Sequence, residues 1–198
     1  MTKEALIIFI KNPVLGKVKT RLAATVGNDK ALEIYGLLQS HTNKVTRSLI
    51  EDKWLFYSEQ VEVNDLWDND RYHKQVQHGD NLGEKMLNAF QHCFDLGYEK
   101  VCIIGSDMMD ITTSIIENAF LQLETNDAII GPAIDGGYYL LGMKKLHTPV
   151  FLNKDWSTES VFTNTLADFK KNDLAYYTLP FLNDIDTEED WKDFLSNQ

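Results

Sequence analysis

Apolar residues along the chain fall into two kinds of run. At Ala5–Ile10 (ALIIFI) and Val101–Ile104 (VCII) they are consecutive rather than alternating, the mark of strands covered on both faces in a parallel sheet. Trp54–Tyr57, Ala128–Ile130, Tyr138–Met143 and Ala175–Leu179 read as further strands, with a weaker one near Tyr72–Gln77. Between them apolar residues recur at helical spacing. Leu32, Tyr35, Leu38, Val45 and Leu49 mark a helix from Asp29, a candidate N-cap, to about Leu49. Met86, Leu87, Phe90, Cys93 and Phe94 mark another over Leu82–Leu96, stopped by Gly97. Helices also cover about Thr113–Leu123, with Asp110 as its expected cap, and about Thr158–Phe169. The last begins at Thr187, where Thr187-Glu188-Glu189-Asp190 resembles a capping box with Asp in place of Glu.

Strands alternating with helices predict an α/β fold, a three-layer α/β/α sandwich around a mostly parallel sheet. The 198 residues contain no repeat, low-complexity tract or linker, so one domain over residues 1–198 is expected. A net charge of −11 argues against nucleic acid or an anionic membrane surface as the main partner, since both need a broad basic face. Ala5–Ile10 is too short to span a bilayer and no small-residue cleavage pattern follows it, so a soluble, cytoplasmic chain is expected. Cys93 and Cys102 lie in apolar segments without metal or redox spacing, and are expected to be buried and reduced. The five histidines show no zinc spacing.

Four stretches carry candidate chemistry. The loop after the first strand, Lys11-Asn-Pro-Val-Leu-Gly16-Lys17-Val-Lys19-Thr-Arg21, holds four basic residues, and no acidic residue occurs from Ala5 to Asn28. In so acidic a chain that is a local reversal. It falls at the carboxyl end of a strand, where open α/β sheets place ligands, and its charges suit a di- or triphosphate; the alternative is a solvated surface loop. The Walker pattern is excluded by Lys11 and Val18, and no dinucleotide fingerprint occurs. Asp107, in Gly105-Ser106-Asp107-Met108-Met109-Asp110, follows the VCII strand and can hold Mg²⁺ or Mn²⁺, or else merely cap the next helix. Asp135-Gly136-Gly137-Tyr138 permits close backbone approach to a ligand, and equally reads as a hairpin turn. Asp184-Ile185-Asp186-Thr187 offers two carboxylates that complete a metal site with Asp107. The same D-x-D-x-T pattern in haloacid-dehalogenase-like phosphatases follows an early strand and needs a long downstream chain, whereas 14 residues follow Asp184.

Taken in order, Lys11–Leu22, Gly79-Asp-Asn-Leu-Gly-Glu-Lys-Met86, Ile104-Gly-Ser-Asp107, Gly131-Pro-Ala-Ile-Asp-Gly-Gly-Tyr-Tyr-Leu-Leu-Gly142, Trp156-Ser-Thr and Asp184–Asp190 resemble the bacterial transferases associated with radical-SAM/selenodomain gene neighbourhoods. More distantly the chain is similar to 2-phospho-lactate and molybdenum-cofactor guanylyltransferases. The resemblance implies a glycosyltransferase-A-like fold of the nucleotide-diphospho-sugar transferase superfamily. It also implies metal ligation by Asp107 and Asp186, with phosphate contacts from Lys19 and Arg21. The chain departs from the family pattern at Met108-Met109, where Cys-Pro is usual, and at Lys85, where Arg is usual.

The expectation that follows is a Mg²⁺- or Mn²⁺-dependent transferase with a nucleotide or sugar-nucleotide donor and a small-molecule acceptor. Donor phosphates would lie among Lys11, Gly16, Lys17, Lys19 and Arg21, with Asp107 and Asp186 on the metal. Asp135 would serve as a catalytic base beside an acceptor bordered by Gly136, Gly137 and Tyr138. Glycosyl transfer leads, nucleotidyl transfer from a triphosphate to a small phosphorylated acceptor is the alternative, and an idle nucleotide-binding module is a third reading of another class.

Overall fold

A computed structural model describes residues 3–197. Among them, seven strands form one sheet: β1 (Glu4–Ile10), β2 (Asp52–Tyr57), β3 (Tyr72–Val76), β4 (Lys100–Ile104), β5 (Ala128–Pro132), β6 (Tyr138–Met143) and β7 (Tyr176–Thr178). The helices are α1 (Thr20–Val26), α2 (Asn28–Thr46), α3 (Leu82–Asp95), α4 (Thr113–Gln122), α5 (Val161–Lys171) and α6 (Glu188–Ser196), with a 3₁₀ turn at Thr148–Phe151. The strand order is β3-β2-β1-β4-β6-β5-β7, every adjacent pair being parallel except those made by β6, which runs against β4 and β5. The α/β/α sandwich with a mostly parallel sheet is therefore the observed architecture.

Consecutive apolar residues in a strand feed opposite layers, because successive side chains alternate across the pleat. Leu6, Ile8, Leu55, Cys102 and Ile104 face one side, under α2 and α4, through Val45, Ile116 and Phe120. Ala5, Ile7, Trp54, Val101 and Ile103 face the other, under α3 and α5, through Met86, Phe90 and Phe169. A third cluster joins α1, α2 and α6 around Leu22, Ile34, Tyr35 and Ile185. That cluster anchors the basic loop and the C-terminal segment to each other.

Helix ends correct three expectations. Asp29 lies in the first turn of α2, whose N-cap is Gly27 at φ 86°, a left-handed backbone that Asp29 would adopt less readily. Asp110 is exposed and caps nothing; Thr112 caps α4 by accepting from the Ile115 amide. The helix expected from Thr158 starts at Val161, because Thr158 and Ser160 spend their hydroxyls on each other and on the turn before it. At α6 the capping box is present as read, Thr187 and Asp190 bonding each other's backbone. Cys93 and Cys102 are free and buried, and burial pushes the Cys93 thiol up to about 12. No helix among the described residues is long and apolar enough to cross a membrane.

Candidate active site

The chain enters the middle of the sheet at β1, runs outward through β2 and β3, then returns beside β1 as β4. Loops after β1 and β4 therefore part in opposite directions and leave a crevice, the usual ligand position in an open α/β sheet. A cleft of about 550 Å³ occupies it, lined from both sides by Lys11, Arg21, Lys85, Asp107, Asp135 and Asp184 among others. An adjoining recess of about 180 Å³ shares Asp107 and Asp186 with it and adds Lys19.

Lys19 is the centre of that recess. Its side chain is 5% exposed, and its ammonium pairs with Asp107 Oδ1 at 2.8 Å and Asp186 Oδ1 at 2.9 Å. Burial alone would lower its pKa, but the two aspartates outweigh it and hold the ammonium above its ordinary value. The Lys19 backbone is left-handed, φ 46° and ψ 47°, strained for a residue with a Cβ. Arg21 Nη1 reaches the other Asp186 oxygen at 3.2 Å. The C-terminal segment is seated by main-chain bonds: the Ile185 amide donates to Asp107 O at 3.0 Å, and Asp190 accepts from the Asp186 amide at 3.1 Å. Burial would raise the Asp190 pKa, yet its bonds to Thr187 and Asp186 leave it below the usual carboxylate value.

The loop after β1 is clamped by Tyr35, whose hydroxyl accepts from Lys11 N at 2.8 Å and donates to Lys11 O at 3.0 Å. Gln77 Nε2 donates to Ile10 O and Phe56 O, tying the ends of β1 and β2 beneath the cleft. Neither Tyr35, expected in the helix core, nor Gln77, expected at the end of a strand, is among the site residues the sequence points to. Tyr35 has a signal, a hydroxyl at a fully buried helix position that must find a partner; Gln77 has none.

The structure divides the expected site residues. Lys11, Lys19, Arg21, Asp107 and Asp186 come together, and Asp135, Gly137 and Tyr138 line the same cleft. Lys17 does not: it points to Glu59 at 3.3 Å, on exposed surface, because the chain turns between Val14 and Lys17. Gly16, at φ 75°, shapes that turn and lines neither cavity. Gly136 also braces the scaffold rather than a ligand: at φ 89°, a Cβ there would stand 2.2 Å from Glu159 O. Asp135 is exposed and accepts from the Gly137 amide at 2.8 Å, closing the turn between antiparallel β5 and β6. The hairpin and the cleft wall are thus the same residues. Asp184 has its pKa raised to about 6, first by burial and then by Asp135 and Asp186.

This strand order, crevice and convergent charge define a protein of the nucleotide-diphospho-sugar transferase fold. Residues 41–158 match the family described as an uncharacterized protein conserved in bacteria (DUF2064), and the chain belongs to that family. It is 35% identical to a protein of Desulfovibrio desulfuricans G20 whose crystal structure is described as that of a candidate nucleotide-diphospho-sugar transferase. That match has a TM-score of 0.85 and covers 94% of this chain and 84% of the other. The superfamily expected from the order of motifs is borne out by it. Two more distant structures share the fold. One is 4-diphosphocytidyl-2C-methyl-D-erythritol synthase of Anaerococcus prevotii DSM 20548, at TM-score 0.59 and 11% identity, covering 100% of this chain and 97% of that one. The other is Rv0371c of Mycobacterium tuberculosis H37Rv in complex with manganese, at TM-score 0.60 and 9% identity, covering 100% of both chains. None of the curated proteins matches the chain.

Proposed function

We propose that the chain transfers a glycosyl group from a sugar nucleotide to a small-molecule acceptor in this cleft. The observation that carries the reading is the convergence of Asp107 and Asp186 on one buried cation beside Lys11 and Arg21. Carboxylates and basic side chains held together at the switch point suit a phosphate-bearing donor. The 35% identical Desulfovibrio protein supports a donor of the sugar-nucleotide kind.

A divalent ion fits the donor set. Among the described residues no group of three or more His, Cys, Asp or Glu side chains is placed to hold one. Mg²⁺ and Mn²⁺ take one or two carboxylates and complete their shells from phosphate oxygens and water, and a pair already gathered around an ammonium offers that. Asp107 and Asp186 would hold it, with Lys19 yielding its place and turning to phosphate. When bound, such an ion neutralises charge on the diphosphate leaving group.

The remaining work falls to side chains. Lys11, Lys19 and Arg21 fix the diphosphate and stabilise the charge it gains. The acceptor hydroxyl forms the new bond to the sugar's anomeric carbon as the bond to phosphate oxygen breaks. The bonding pair leaves with the nucleoside diphosphate, and the hydroxyl proton passes to the Asp135 carboxylate. Nucleotidyl transfer from a triphosphate is the second reading, favoured by the density of basic residues in the loop; the turn of Lys17 toward Glu59 subtracts one of them.

The test is chromatographic detection of nucleoside diphosphate released from a panel of sugar nucleotides with Mn²⁺ or Mg²⁺. Release by the wild type, and loss of it in Asp107→Asn with an unchanged circular dichroism spectrum, is expected. Pyrophosphate released from triphosphates instead would move the reading to nucleotidyl transfer, and full turnover by the variant would remove Asp107 from the site.

A further inference from the structure

The two walls of the cleft carry opposite charge. Lining residues up to Met108 include Lys11, Arg21 and Lys85 against one carboxylate, Asp107. Lining residues from Ala133 onward include three carboxylates and no lysine, arginine or histidine. Of those three, Asp186 is neutralised by Lys19 and Arg21. Asp135 and Asp184 form no ion pair among the described residues. The loop over this wall, residues 152–160, has one basic residue, Lys154, and it is buried against Asp168 and cannot serve the cleft.

The same wall is aromatic. Trp156 lies against Gly83 so closely that a Cβ on Gly83 would stand 2.4 Å from the indole nitrogen, which fixes the ring at the cleft edge. Tyr138 also lines the cleft, its hydroxyl turned to the Met86 sulfur at 3.7 Å. Such a surface offers acceptor oxygens for O–H and N–H groups and π faces for C–H surface or an ammonium. It offers a phosphate no basic side chain.

We propose that the acceptor is an unphosphorylated polyhydroxyl compound, uncharged or carrying an amine, whose hydroxyl or ammonium groups donate to Asp135 and Asp184 while Trp156 and Tyr138 cover its apolar face. This rests on the reading of the cleft as a transferase site and sharpens it. An anionic acceptor would have to overcome the repulsion of two carboxylates without ion-pair partners, so the charge of the wall selects against the phosphorylated acceptors of the nucleotidyl-transfer reading.

The test separates the acceptor from the donor. Binding of hexoses, pentoses and inositols, each with its amino and phosphorylated derivative, is measured by calorimetry with and without nucleoside diphosphate and Mn²⁺. Nucleoside diphosphate release from sugar nucleotides is followed in parallel. The expected result is at least a ten-fold preference for the neutral or amino member over its phosphate ester. That preference should narrow to within about two-fold in the Asp135→Asn/Asp184→Asn double variant, whose folding is checked by circular dichroism. Should the double variant not fold, Trp156→Ala, expected to weaken the preferred member about ten-fold, takes its place. Equal or tighter binding of phosphate esters, binding of no member, a preference unmoved by the double variant, or undiminished binding in Trp156→Ala would overturn the proposal. Absence of donor turnover alongside the expected preference would count against the glycosyl-transfer reading alone.

Discussion

β4 carries a buried lysine cluster at each edge of the sheet. At its first residue, Lys100 is 5% exposed and pairs with Glu4 at 2.8 Å and with Glu124. Beyond its far end, Asp107 joins Asp186 around Lys19, also 5% exposed. The charge arithmetic is the same: burial would lower each lysine's pKa, and the paired carboxylates raise it instead. Two differences separate them. Lys100 sits in regular strand backbone and lines neither cavity, whereas Lys19 holds a left-handed backbone and lines the recess. An ion cluster on relaxed backbone at a closed edge secures the fold. The same cluster on strained backbone facing a cleft has partners it can exchange, and strain of that kind is retained where a site needs it.

The comparison can be broken most forcefully at Asp107. Asp107→Asn is expected to lower turnover about 100-fold or more, on the scale of losing one transition-state charge contact, with its thermal midpoint scarcely changed. Steady-state product release and a melting curve measure both. Next comes an exchange of the two lysines' roles. Lys19→Met is expected to raise the nucleotide dissociation constant about ten-fold, a loss of roughly 1.4 kcal/mol, and Lys100→Met to leave it unchanged; titration calorimetry decides. In urea unfolding, Lys100→Met is expected to cost about 1–2 kcal/mol. That is less than the 3–5 of a fully buried pair, because its Glu124 partner is 59% exposed and solvent screens it. Both lysines have raised pKa values, so their contribution is complete below the unfolded pKa near 10.5 and is lost as pH climbs through the folded value. The smallest effect concerns Thr187→Ala, about 1 kcal/mol from the lost cap. Asp190 has a depressed pKa, so its share of stability is present above the ordinary carboxylate range and disappears as pH falls through the lowered value. The gap between wild type and variant should close in acid.

The Lys100 cluster was not legible in the sequence, because it joins residues from three distant segments. The members of the Lys19 cluster were legible as residues of one site, but not the direct pairing of the ammonium with both aspartates. What could be read were features with a local cause. Runs such as ALIIFI and VCII announce strands buried on both faces, and Thr187 with Asp190 announces its own cap. The basic loop and Asp107 could be placed at the site because strand ends and ligand crevices coincide in this fold class. Lys17 could not be separated from Lys19 and Arg21, since only the turn at Val14–Lys17 sends it outward to Glu59. α1 was missed for a similar reason: it is 7 residues long, buries only Leu22, and follows Lys19, an N-cap whose side chain makes no capping bond. Nor does β6 declare its direction. Tyr138–Met143 is as continuously apolar as the parallel strands β1 and β4, and only the Asp135 turn hinted that the chain doubles back.

The segment 184–187 follows all seven strands and ties itself to the β4 loop through Ile185 and Asp107. During translation, therefore, the whole sheet leaves the ribosome before the second carboxylate does, at some 5–20 residues per second. A chain cut short before Asp184 would hold all seven strands and Asp107 but lack the Asp186 partner of Lys19. Competence for the proposed transfer would then arrive only after every strand of the sheet has been made.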